Sequence, residues 1–327
     1  MKVLVTGGSG FIGSHLVDRL IENGDDVFVI DDGSGGKNYN ENALYFGIDC
    51  RDFRKVDHVF MQIKPEVVYH LAANAAENKA QFSPVDSTSR NYDAFIKVLT
   101  AGIKHGMRRI VVTSSIAAYG DIPTPFKETD QCKPVDLYGL SKFAMEETLK
   151  IMSSIHDFEY VVARPHNVYG PRQSMTDPYR NVISLWINSL LQDKQYVIYG
   201  HGGQKRCYTY IDDVSSALLK CGTMDVDGEI FNIGADEAYT LLELSDALQK
   251  ASGSTCTPMH LPDRPQEVKE AIEDHTKSKE VLGYKTSVTL EEGLKKTWEY
   301  AKKVGFKRPI YTDIELDSPK MPSNWRV

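Results

Sequence analysis

Val3-Leu4-Val5 is a short, β-branched-rich run that enters the glycine turn Gly7-Gly8-Ser9-Gly10-Phe11-Ile12-Gly13, after which Ile12, Leu16 and Leu20 recur at helical spacing. Strand, glycine turn and helix follow one another without a gap. A second apolar run, Val27-Phe28-Val29-Ile30, ends in Asp31-Asp32, so an acid stands eighteen residues after Gly13. Glycines in such a turn let the backbone approach a pyrophosphate at the helix N-terminus, and a strand-end carboxylate accepts hydrogen bonds from a ribose diol. The spacing predicts a βαβ unit that binds a dinucleotide.

The alternation continues down the chain. Strands are predicted at 44–48, 67–71, 109–113 and 160–164, and helices over 52–63, 87–105 and 138–153, the last carrying Glu146 and Lys150 as an i, i+4 pair. Strands alternating with helices imply a parallel sheet covered on both faces, with ligands at the carboxyl ends of its strands. Asp31, Asp49, Ala72, Ser114 and Asn167 fall at or just past such ends. After Pro171 the pattern loosens into helices at 182–191, 213–221, 240–251 and 290–304 and a short strand at 197–199. The third of those helices is opened by the capping box Thr240-Leu241-Leu242-Glu243. Phe231-Asn232-Ile233-Gly234 reads as a strand returning to the sheet. The expected class is therefore α/β, a Rossmann-type doubly wound parallel sheet over residues 1–170, rejoined by 208–235. A smaller, discontinuous α/β lobe is expected from 171–207 and 236–305. Pro309, Pro319 and Pro322, among Asp313, Glu315 and Asp317, predict an extended tail over 306–327.

Composition narrows the function. In 327 residues, 38 Lys+Arg stand against 45 Asp+Glu, a net charge of −7, which argues against a nucleic-acid surface and against broad attraction to anionic membranes. Cys50, Cys132, Cys207, Cys221 and Cys256 lie far apart, with no Cys-x-x-Cys or His-x-x-x-His spacing. They read as reduced thiols of a cytoplasmic protein, with neither a zinc site nor a disulfide framework. The apolar stretch before Gly7 is too short for a secretory signal or a membrane span.

Tyr138 and Lys142 are four residues apart at the start of a predicted helix, a spacing that stacks the two side chains on one face. A free tyrosine has a pKa of about 10, and a nearby cation favours the phenolate, so this pair can supply a base near neutral pH. Upstream, Thr113-Ser114-Ser115-Ile116-Ala117-Ala118-Tyr119-Gly120 places hydroxyls just after a strand. A serine there can hold the substrate oxygen that loses its proton.

Taken together, Gly7/Gly10/Gly13, Asp31, Asp49, His70-Leu71-Ala72-Ala73, Ser115, Tyr138/Lys142 and Arg164-Pro165-His166-Asn167-Val168-Tyr169-Gly170-Pro171 resemble the extended short-chain dehydrogenase/reductase family, and within it the nucleotide-sugar epimerases and dehydratases. The resemblance runs from residue 2 to about residue 300. It implies tightly held NAD, with Tyr138 as base, Lys142 on the nicotinamide ribose and Ser115 orienting the sugar hydroxyl. It further implies NAD contacts at Gly7, Gly10, Phe11, Ile12, Gly13, Asp31, Asp49, Cys50, Leu71, Ala72, Ala73, Asn91, Ser114 and Pro165. Asp31 would disfavour NADP, and Asp49 would meet the adenine. Asn167, Asn181, Val182, Val197, Tyr199 and Glu267 match substrate-contacting positions, and Arg206 and Arg264 match the arginines that grip the diphosphate, a task that suits guanidinium. A homodimer through the 87–105 and 138–153 helices is implied as well.

The family diverges after a shared first step, removal of a proton from the sugar 4-hydroxyl with hydride loss from C4. Its dehydratases carry an Asp-Glu pair between the catalytic hydroxyl and the Tyr-Gly, its decarboxylases a glutamate, and its 3,5-epimerases a cysteine. This chain has Ile116, Ala117 and Ala118 there. None can shuttle a proton, so the expected reaction is C4 epimerisation of a UDP-glucose/UDP-galactose type pair. The alternatives are a dehydratase or decarboxylase of the same family, or an NAD-binding regulator without catalysis. Three departures bear on the substrate: Cys207 replaces the usual aspartate, His166 a common aromatic, and Asn74-Ala75 stands where the best-known 4-epimerases have a lysine. Ala271 aligns with a site where tyrosine restricts some of them to unsubstituted hexoses, so N-acetylated sugars are expected to fit.

Overall fold

A computed structural model of the chain describes residues 1–179, 182–263, 269–312, 314–322 and 325. Its first half alternates as the sequence pattern requires: β1 (Lys2–Thr6), α1 (Phe11–Glu22), β2 (Asp26–Asp31), β3 (Leu44–Gly47), α2 (Phe53–Ile63), β4 (Val67–His70), α3 (Glu77–Ala80), α4 (Pro84–Thr88), α5 (Ala94–Lys104), β5 (Arg109–Thr113), α6 (Leu137–Ser153) and β6 (Glu159–Pro165). The second half contains β7 (Val168–Tyr169), α7 (Val182–Leu190), β8 (Val197–Tyr199), β9 (Lys205–Cys207), β10 (Thr209–Tyr210), α8 (Ile211–Thr223), β11 (Ile230–Ile233), β12 (Ala238–Thr240), α9 (Leu241–Ser252), β13 (Met259–Leu261), β14 (Glu270–Ala271), α10 (Thr276–Leu282) and α11 (Leu290–Val304).

Seven strands form one sheet in the order β11-β6-β5-β4-β1-β2-β3, and each neighbouring pair is parallel. Successive residues of a strand point to opposite faces, so β1 sends Val3 and Val5 to one side and Leu4 to the other. Val3 and Val5 join the α1 residues Leu16, Val17 and Leu20 and the α8 residues Val214, Ala217 and Leu218. Leu4 joins Val56 and Phe60 of α2, Phe95 and Val98 of α5, and Met145 and Leu149 of α6. Both faces are thus dry, as the runs of β-branched residues require.

Three expectations are corrected. The 87–105 segment is not one regular helix: α4 starts at Pro84, and a π-helical turn over Ser89–Asp93 leads into α5. Glu146 is fully buried and pairs with Arg164, while Lys150 pairs with Glu147 at 2.7 Å. The segment beyond residue 305 lacks regular structure in its described residues, yet it does not project into solvent. Lys307 exchanges backbone hydrogen bonds with the Asn188 amide of α7, and Glu315 accepts from the Val85 and Asp86 N–H groups of α4, at 2.8 Å each. Trp325 is 5% exposed and packs edge-on against Tyr179 and Phe82.

The segment therefore straps α7 to α4 through a small apolar cluster of its own. Trp325→Ala should lower stability by about 3 kcal/mol through lost burial, read as an earlier urea midpoint, while NAD content stays unchanged. A variant that unfolds at the wild-type midpoint would show that the strap contributes no stability.

Candidate active site

The glycine turn is held by sterics. A Cβ on Gly13 would lie 2.1 Å from the Gly7 carbonyl oxygen, so only glycine lets the first turn of α1 close onto the loop. Asp31, the last residue of β2, accepts hydrogen bonds from Ser9 N–H at 3.0 Å and Gly33 N–H at 2.7 Å. Its carboxylate is thereby fixed at the sheet's carboxyl edge beside the turn. Gly10, Phe11 and Ile12 complete the loop and open α1. Leu71 and Ala72 continue β4, with their N–H groups on the Thr6 carbonyl and hydroxyl, and Ala73 follows them.

Two of the expected cofactor contacts, Asp49 and Asn91, also have partners within the protein. Arg51 grips the Asp49 carboxylate, with Nη2 2.6 Å from Oδ2, and that hydrogen-bonded guanidinium holds the carboxyl below its ordinary pKa. Asn91, fully buried in the π turn, accepts from Asn74 N–H at 2.9 Å and donates to the Asn74 carbonyl at 3.1 Å, so it braces that loop. Cys50 is buried beside Asp49, and burial pushes its thiol pKa up.

The catalytic helix is positioned by two contacts. Asp136 caps α6, accepting from Gly139 N–H at 2.8 Å. A Cβ on Gly139 would sit 2.4 Å from the Ala117 carbonyl oxygen, so this glycine lets the helix start press against the single 3₁₀ turn Ile116–Ala118. Ser115 caps that turn, accepting from Ala117 N–H at 3.1 Å, which leaves its hydroxyl proton uncommitted among the described residues. Tyr138 and Ser115 are thus carried by two elements in backbone contact.

Lys142, one turn beyond Tyr138, is 2% exposed; its Nζ donates to the Thr113 carbonyl at 2.7 Å and lies 5.7 Å from the Tyr138 ring centre. Burial lowers its pKa to about 8, against the opposing pull of Glu146. His70 beside it is held neutral, its pKa lowered to about 3 by burial and by the Lys142 charge, while Nδ1 bonds the Thr6 hydroxyl at 2.9 Å. Lys142 is therefore largely a cation near neutral pH, beside the neutral His70 and one helical turn before the Glu146 carboxylate that favours its charge.

Behind these groups lies a network that the sequence reading missed. Arg164 at the end of β6 donates to Glu146 through Nε at 3.0 Å and Nη2 at 2.5 Å, and it stacks 4.4 Å from the Tyr119 ring centre. Ser114 donates to the same carboxylate, and the Tyr119 hydroxyl donates to Asn232 at 2.7 Å. The available signal was the four-residue step from Lys142 to Glu146, which sets both on one helical face.

Of the expected substrate residues, Asn181, Arg264 and Glu267 lie outside the described residues. Asn167 stands two residues past β6, in a left-handed conformation with φ +37°. Val182 begins α7, and the β8 residue Val197 accepts from the Trp186 indole at 2.9 Å. Tyr199 ends β8, and Pro165 ends β6. Arg206 of β9 donates to the Lys205 and Lys269 carbonyls, at 2.7 and 3.4 Å. Ala271 packs with Tyr119 and Phe126, in the same small cluster as Ile116.

A glycine cradle at a helix N-terminus, a fixed strand-end carboxylate, a Ser just past β5 and a Tyr and Lys on the first turns of α6 are the parts of an NAD site with a proton-transfer group beside it. The model of the NAD-dependent epimerase/dehydratase family matches residues 3–234, and the chain belongs to that family. Its cofactor is NAD. It is similar to a UDP-glucose 4-epimerase from Mycolicibacterium smegmatis, at 34% identity over 92% of this chain and 98% of that protein. It is also similar to a UDP-N-acetyl-alpha-D-glucosaminuronate decarboxylase from Bacillus cytotoxicus, at 30% identity over 93% of this chain and 98% of that one. Among solved structures, the Thermotoga maritima UDP-glucose 4-epimerase with UDP-glucose superposes at a TM-score of 0.89, with 37% identity, covering 93% of this chain and 99% of that one. Among the described residues no helix is long and apolar enough to cross a membrane.

Two predictions follow from the geometry of α6. Gly139→Ala should push the helix off the turn and cut kcat at least tenfold at near-normal NAD content, and an unchanged kcat would show that this contact does not set the site. Because burial depresses Lys142 to about 8, below the unfolded value of about 10.4, its cation penalises folding fully below pH 8, and the penalty fades as pH rises toward 10.4. Lys142→Met should then raise stability at pH 7 by about 1–2 kcal/mol, with the gain vanishing near pH 10. Urea unfolding at the two pH values checks this.

Proposed function

We propose that the protein is a UDP-sugar 4-epimerase acting on a UDP-glucose/UDP-galactose type pair. The observation that carries the reading is the turn after Ser115, where Ile116, Ala117 and Ala118 offer no acid, base or thiol. Elimination of water or epimerisation at a neighbouring carbon needs a second proton shuttle beside the 4-keto sugar. The turn supplies none.

In this mechanism Ser115 holds the sugar 4-hydroxyl and Tyr138 takes its proton, with Lys142 favouring the phenolate by its charge. NAD, held by the glycine turn and Asp31, would when bound supply the acceptor for hydride removal from C4 and the donor for its return. The ketosugar turns over in the pocket between those events, and Tyr138 gives the proton back to the 4-oxygen when the hydride arrives on the other face. No net oxidation results. Arg206 lies on the strand that would face the diphosphate, and its guanidinium can exchange its backbone acceptors for phosphate oxygens. The small Ala271 supports a site that also admits an N-acetyl group.

Incubation with UDP-galactose followed by NMR should show UDP-glucose accumulating without added NAD, and UDP-N-acetylglucosamine should turn over as well. A 4-keto-6-deoxy product, or carbon dioxide release from UDP-glucuronate, would replace this reading with a dehydratase or a decarboxylase. Tyr138→Phe should lose roughly 10³-fold in kcat while retaining NAD; retention of turnover would exclude Tyr138 as the base.

A further inference from the structure

His166 and Glu273 face each other across the joint between the large sheet and the three-stranded sheet β12-β9-β14, with His166 Nδ1 4.0 Å from Glu273 Oε1. Both side chains are fully enclosed. Neither ring nitrogen and neither carboxyl oxygen has a hydrogen-bond partner among the described residues. Buried polar atoms are ordinarily paired, because leaving them bare forfeits their hydration with nothing in return. Room has nonetheless been made for the acid: a Cβ on Gly234, just past β11, would lie 2.0 Å from Glu273 Oε1. The buried Cys207, 1% exposed, is hydrogen-bonded to the Glu273 backbone, and burial pushes its thiol pKa up to about 12, so it brings no charge of its own.

The backbone on each side of the pair leads to a substrate position. The His166 carbonyl accepts from the Thr209 hydroxyl at 2.7 Å, and the Asn167 carbonyl accepts from Thr209 N–H at 3.3 Å. These bonds pin the left-handed Asn167 in place. On the other side, Glu273 follows β14 by two residues, and β14 sets Ala271 in register with Arg206.

We infer that His166 and Glu273 are a positioning pair, setting where Asn167 and Arg206 stand when a nucleoside diphosphate sugar binds. Burial lowers the His166 pKa to about 3, with the Arg206 charge adding to the effect, and raises that of Glu273 well above its ordinary value. Both shifts favour the uncharged forms of the pair. An acid can lie close to a diphosphate site without repelling it only in that form. The inference rests on the proposed nucleotide-sugar reading.

The test uses the full chain with UDP in calorimetric titration and UDP-galactose in turnover. Glu273→Gln keeps the shape and polarity of the neutral acid and should leave the UDP Kd and the KM within twofold of wild type. Glu273→Ala should raise both about tenfold and leave kcat within twofold, the split expected of a residue acting through binding. His166→Phe, which keeps the ring volume, should raise KM similarly and stands in if the alanine variant does not fold. A glutamine variant as impaired as the alanine variant would overturn the inference, as would unchanged Kd in both Glu273→Ala and His166→Phe, or kcat losses that match the KM changes. Wild-type protein that neither binds UDP nor turns over UDP-sugars would instead overturn the functional reading itself.

Discussion

The ion pair between Glu146 and Arg164 is the constraint on which the site depends. With exposures of 0% and 2%, both charges are withdrawn from water, at a cost of several kcal/mol each that only close, fully hydrogen-bonded geometry offsets. The two-pronged guanidinium contact, the Ser114 hydroxyl and the Tyr119 ring supply most of that geometry, with the buried Arg164 Nη1 left without a hydrogen-bond partner among the described residues. Each partner also sits next to a functional group. Ser114 precedes Ser115, Glu146 follows Lys142 by one helical turn, and Arg164 precedes Pro165 and the loop to Asn167. A buried pair tolerates little displacement, so it fixes α6 against β5 and β6 and gives the site a common origin.

Much of this was legible in the sequence because it is local. The glycine turn, Asp31, the parallel alternation and the Tyr138–Lys142 step are carried by periods of two or 3.6 residues and by turn chemistry. What escaped is non-local or too short. β7, β9, β10, β12 and β14 have two or three residues each, so no alternation can be seen in them. Glu146 looked like half of a surface pair with Lys150 because helical spacing cannot tell which face meets the sheet. The Arg51 partner of Asp49 was not foreseen because nothing in either position reveals the pairing. The proline-rich end read as extended, since its anchors on Asn188, Val85 and Asp86 lie over a hundred residues away.

The placement of the turn after Ser115 accounts for how one scaffold serves several reactions. Ser115, Tyr138 and Lys142, to which the proposed mechanism gives the proton transfer, are held by α6, β5 and the ion pair, whereas residues 116–118 form a single 3₁₀ turn beside them. A change in that turn alters what happens to a keto sugar without moving the groups that make it. In this chain the turn is filled by apolar side chains, with Ala118 buried. On the proposed reading, such a turn leaves chemistry only at C4 and its oxygen.

The seventh strand has a further consequence. β11 reaches the sheet after the chain has already built α7, β8, β9 and α8, and it closes the edge of β6 before the chain leaves again for α9. The elements around the sugar positions are therefore stitched into the sheet that cradles NAD, and neither part can melt while the other stays whole. Unfolding should be a single concerted event. An occupied cofactor site should thus protect the elements of the second half from heat and proteolysis as well.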